Sequence, residues 1–129
     1  MIDISDEAFE KMVTDAIDDI PEHYGNFIKN VGFVVEDEPS PEQRERLHLH
    51  HGVTLFGLYE GVPLTQRNNN YSGVLPDKIT IFKRPMQHQA WTYEELEKTV
   101  KNTVWHEVAH YFGLDHDRIY RLEGKDRKH

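Results

Sequence analysis

Apolar residues recur at Phe9, Met12, Val13, Ala16, Ile17 and Ile20, a spacing close to 3.6 residues that predicts an amphipathic helix. Ser5 stands where it can cap that helix, and Pro21 either stops it or opens a short second turn. The pattern then changes. VGFVVE, from Val31 to Glu36, is rich in β-branched residues and predicts a buried strand. The DEPSPEQRER stretch that follows reads as a polar, proline-bearing loop, and GVTLFGLYEG supplies one or two short strands. Turn residues dominate from Gly61 to Lys78, after which KITIFKR alternates as a strand between Lys78 and Arg84.

The last helix carries the clearest start signal. Thr92 and Glu95 form a capping box, and the helical pattern runs to Phe112 with Gly113 placed to end it. Such a helix is about 30 Å long. Leu96, Val100, Val104, Val108 and Phe112 make one apolar stripe, while Thr99, Asn102, Thr103, His106 and His110 make a second. The second stripe is polar but carries almost no charge, which suits the floor of a cleft better than a solvated surface. Helix, strands and helix in this order predict an α+β domain with a small sheet.

Composition narrows the classes. A chain of 129 residues is the size of one domain, here taken as 1–129 with a basic, frayed tail from about residue 121. The absence of cysteine removes disulfides, thiolate-held zinc and a catalytic thiol from consideration. The acidic opening MIDISDEAFE does not read as a secretory leader, and no apolar run is long enough to span a membrane. The expectation is therefore a cytoplasmic protein. The net charge of −8 argues against nucleic-acid or anionic-membrane partners, although Arg118 to His129 is locally basic.

Against this background one stretch stands out. HEVAHYFGLDH, His106 to His116, places two histidines four apart on the last helix, so that their rings lie one above the other. Gly113 can take the positive φ that reverses the chain, which can bring His116 back against His106 and His110. Three imidazoles and a water form the open tetrahedral arrangement of a catalytic Zn2+ site. Neutral ligands leave the ion its double charge, which lowers the pKa of its water, and Glu107 is placed to take the proton. By pattern this is the metzincin signature. Metzincins also carry a methionine turn downstream, whereas Met1, Met12 and Met86 all precede the motif here.

A broader likeness covers nearly the whole chain. The segments VGFVVEDEPSPEQ, LFGLYEGVPLTQR, LPDKITIFKRP and TVKNTVWHEVAHYFGLDHDRI resemble the small bacterial zincin-like metallopeptidases, also called minimal metalloproteases. The resemblance implies a compact α+β fold with a small mixed sheet packed with helices and the active-site helix near the C-terminus. It implies a zinc metalloendopeptidase acting on a peptide or protein, with His106 and His110 as ligands and Glu107 as general base. The third position often looks acidic in relatives. His116 has the metzincin spacing and is taken as the third ligand, with Asp117 as the alternative or as its supporting partner.

Two other readings stand beside the peptidase. Endoribonucleases of the rRNA-maturation type carry a similar three-histidine string, but with a small residue where this chain has Glu107, and the acidic charge suits RNA poorly. A protein that holds zinc without catalysis is the other. His48, His50 and His51 read as exposed or core-edge histidines, with a second ion held by His48 and His50 from one face of a strand as the sharper possibility. Tyr59, Tyr71, Tyr111 and Tyr120 are candidates to stabilise an oxyanion, although aromatic packing is the plainer role for each. The loop from Gly61 to Gly73 could serve as a lid or as a simple connector.

Overall fold

The structure is a computed structural model that describes residues 1–25, 28, 31–46, 55–61 and 77–113. Its elements run α1 (Asp6–Asp18), α2 (Glu22–Gly25), β1 (Gly32–Glu36), α3 (Pro41–Arg46), β2 (Gly57–Glu60), β3 (Lys78–Phe82), α4 (Lys83–Gln89) and α5 (Tyr93–Tyr111). The fold is α+β, as the pattern of elements predicts.

The two long helices start where their caps dictate. The Ser5 hydroxyl accepts the Ala8 N–H at 3.1 Å, and the Thr92 hydroxyl accepts the Glu95 N–H at 3.1 Å. Each satisfies a backbone donor that the first helical turn would otherwise leave unpaired. At the far end of α5, Gly113 takes φ +79 and its N–H reaches the His110 carbonyl at 2.9 Å. The glycine is therefore in the left-handed conformation expected of it.

Three strands form a mixed sheet in the order β1-β3-β2, with β1 parallel and β2 antiparallel to the central β3. The core lies between one face of this sheet and the two long helices. Ile79 and Ile81 from β3 meet Phe9 and Val13 of α1 and the α5 stripe of Leu96, Val100, Val104 and Val108. All four stripe residues are fully buried. Lys101 of α5 pairs with Asp19 beyond the end of α1 at 2.7 Å, and Lys83 of α4 pairs with Asp6 of α1.

Two expectations need correction. DEPSPEQRER is not simply a loop, because Pro41–Arg46 is helical. Its start is a capping box, with the Gln43 N–H on the Ser40 hydroxyl at 3.0 Å and the Ser40 N–H on the Gln43 side chain at 2.8 Å. Proline at the first helical position reinforces it. The strand expected between Lys78 and Arg84 ends at Phe82, and α4 begins at once. Of the two possible strands in GVTLFGLYEG, the described residues contain one, Gly57–Glu60.

Candidate active site

The candidate site is built on one face of α5 and on the strand beside it. His106 and His110 lie one turn apart, with ring centroids 4.7 Å apart and planes at 78°. Glu107 adds a carboxylate, and one ligand-type atom from each of the three side chains lies within 4.8 Å of the others. That separation lets the three groups address a common ion. Two imidazoles with an oxygen donor nearby suit zinc far better than calcium or magnesium. His116, Asp115 and Asp117 lie outside the described residues.

Glu107 is buried, at 8% exposure, in spite of being ionisable. Burial pushes its carboxyl up from the ordinary 4.5 to about 7, and the backbone N–H of Tyr59, which bonds to it, acts in the opposite direction. That bond follows from how β2 is paired. The Phe82 N–H donates to the Phe56 carbonyl at 2.9 Å, so Phe56 directs its main chain towards β3. Alternation along an antiparallel strand then turns the main-chain groups of Gly57 and Tyr59 outwards. The edge of β2 thus faces Glu107.

Beside these groups lies a cleft of about 390 Å³, lined by Leu55, Phe56, Gly57, Thr99, Asn102, Thr103, His106 and Glu107. Thr99, Asn102, Thr103 and His106 of the polar stripe of α5 line it, as the stripe's composition suggested. Phe56 and Gly57 form the opposing wall, together with Leu55. These three were not picked out from sequence, yet there was a signal. An isolated glycine inside a strand pattern, as in LFGLYE, marks a place where another segment approaches the backbone closely.

The tyrosine candidates separate. The Tyr59 hydroxyl donates to Asp77 at 2.8 Å, which commits it to holding the strand end. Tyr111 is buried at 3% exposure, with its ring against Tyr59 and Phe112. Both are placed for packing rather than for meeting a substrate. Tyr71, Tyr120, His48, His50 and His51 lie outside the described residues, as does the loop after Gly61.

The sequence model of the zincin-like metallopeptidase family matches residues 28–125, from ahead of β1 to beyond the histidine cluster. The chain belongs to that family. Within it, the His106, Glu107 and His110 cluster falls on the helix that the H-E-x-x-H pattern marks. Among solved structures, the chain is similar to a conserved hypothetical protein from Thermo thermophilus. The two share 22% identity over 94% of this chain and 99% of that one, with a TM-score of 0.56. That likeness shows a shared fold. No curated protein matches the chain. No described helix is long and apolar enough to cross a membrane.

Proposed function

We propose that the protein is a zinc-dependent metallopeptidase, with His106, His110 and His116 holding the ion and Glu107 as general base. The observation that carries this reading is the convergence of His106, Glu107 and His110 within 4.8 Å at the end of a cleft, in a chain of this family. Zinc held there would supply Lewis acidity, polarising the scissile carbonyl and acidifying the attacking water.

The remaining chemistry belongs to the chain's own groups. Glu107 accepts the proton lost by the attacking water and returns it to the departing amine. Burial favours the protonated carboxyl and a divalent charge beside it would favour the carboxylate, so the two act in opposite directions on the proton that Glu107 takes up and gives back. The Tyr59 N–H steadies the carboxylate form. The cleft beside α5 receives the peptide, with Leu55 and Phe56 offering apolar contact and Thr99, Asn102 and Thr103 offering neutral polar contact.

The test compares wild type with Glu107→Gln at matched zinc content, on a peptide library and on structured RNA. Peptide hydrolysis should fall by about 10² to 10⁴, the usual contribution of a positioned general base, while the isosteric change keeps zinc and fold. Peptide cleavage that survives undiminished would remove Glu107 from the mechanism. RNA cleavage indifferent to the change would favour the endoribonuclease, and no turnover in either form would leave a protein that holds metal only.

A further inference from the structure

We propose that Gly57 is a positioning residue for Glu107: by presenting no Cβ where β2 meets α5, it lets the Tyr59 N–H hold the Glu107 carboxylate in the cleft. The inference rests on the reading of Glu107 as the proton acceptor.

The contact is closer than any other residue would permit. A Cβ built on Gly57 would stand 2.7 Å from Thr103 Cγ2, 3.2 Å from Glu107 Cγ and 3.4 Å from the Thr80 carbonyl. Thr103 is largely buried and branched at Cβ, which restricts the rotation that would carry Cγ2 away, and the Thr80 atom is backbone. The strand also cannot swing away easily. On one side it is hydrogen-bonded to β3, in the register Gly57↔Ile81 and Tyr59↔Ile79. At its far end the Tyr59 hydroxyl is held by Asp77, which is itself buried. A methyl group at position 57 must therefore be accommodated by parting β2 from α5 at Thr103 and Glu107.

Glu107 sits one turn along α5 from Thr103, on the same face. Parting the two elements there lengthens the hydrogen bond from the Tyr59 N–H and leaves the carboxylate without its fixed donor. Proton transfer depends on that geometry, and a misplacement of about 1 Å in a reacting group can cost about 10²-fold in rate. Gly57 lines the cleft, but in this role it needs no contact with ion or substrate. It acts through Glu107.

The experiment is a mutant cycle on the full chain with zinc content matched. Gly57→Ala should lower kcat by about 10 to 100-fold with little change in KM, and Thr103→Ser added to it should restore at least part of the loss by removing Cγ2. In a Glu107→Gln background, Gly57→Ala should cost almost nothing, because the group it positions is gone. Amide exchange in the zinc-free protein gives a second readout that needs no turnover. The Tyr59 amide, which faces away from β3, should be protected in wild type and should lose protection in Glu107→Ala, while the Leu58 amide, which faces β3, stays slow.

Equal losses from Gly57→Ala in both backgrounds, or a Tyr59 amide that exchanges freely in wild type, would overturn the proposal. If no variant cleaves any peptide, the peptidase reading fails, and the Tyr59 exchange rates still decide whether the strand holds Glu107.

Discussion

His106 and His110 pack along α5 with ring centroids 4.7 Å apart, edge to face, and each brings a ligand-type atom to within 4.8 Å of the other's. A pair of imidazoles one turn apart supplies half of a tetrahedral zinc shell. His106→Ala or His110→Ala should therefore abolish tight zinc binding, because the ligands that remain cannot hold the ion. Elemental analysis of protein purified without added metal should find about one zinc per wild-type chain and almost none in either variant. Full occupancy in a variant would show that the ion sits elsewhere.

The third ligand is the next question. Gly113 takes φ +79, a left-handed conformation that ends α5. With His116 as ligand, His116→Ala should weaken zinc binding strongly. Asp117→Ala should then cost only the roughly 10 to 100-fold expected of a residue that orients a ligand. A chelator-competition titration ranks the two directly. The reverse order would assign the ligand to Asp117 and return His116 to a supporting part.

Sequence showed the His106, Glu107 and His110 cluster better than it showed the frame around it. On α5, local signals and tertiary demands agree: the Thr92 cap, the buried stripe from Leu96 to Val108 and the Gly113 reversal all sit where periodicity puts them. The histidine cluster could be read for the same reason, since spacing on a single helix fixes which side chains share a face. The other wall of the cleft could not. Whether Tyr59 turns its N–H to Glu107 depends on how β2 pairs with β3, a contact between segments far apart in sequence. Gly57 gave a hint of close approach without naming the element that approaches. Helix α3 was missed because proline and glutamate suggested a loop, although Ser40 and Gln43 spell a capping box. Helix α4 was missed because Phe82, the last residue of β3, is itself the cap position of the helix, leaving no turn residues between them.

Core and site share α5, so their contributions need separating. Leu96 is fully buried three turns before His106, far enough along the helix to leave the cluster untouched. Leu96→Ala should lower stability by about 2 to 5 kcal/mol, the usual cost of truncating a buried leucine. Urea unfolding of the zinc-free protein measures that loss. Zinc stoichiometry at low temperature should not change. Loss of zinc in a variant that is still folded would mean that the upper half of α5 shapes the cluster directly.

Glu107 should also leave a signature in stability against pH. Its carboxyl is raised by burial from 4.5 to about 7 in the metal-free fold. The native state then binds this proton more tightly than the unfolded chain does, so stability falls wherever the unfolded state has released the proton first. The contribution is fully present below about pH 4.5 and is lost as pH rises through about 7. Above that, the fold carries an ionised carboxylate in a buried site. Glu107→Gln cannot ionise, and the groups common to both proteins cancel in the difference between them. The variant should therefore match wild type in acid and become the more stable of the two above pH 7, by about 3 kcal/mol at most. Urea unfolding of both zinc-free proteins from pH 4.5 to 8 measures the gap. Added zinc should narrow it, since a divalent charge beside the carboxylate favours the ionised form. A difference that stays flat across this range would mean that Glu107 is as well solvated in the folded protein as in the unfolded chain.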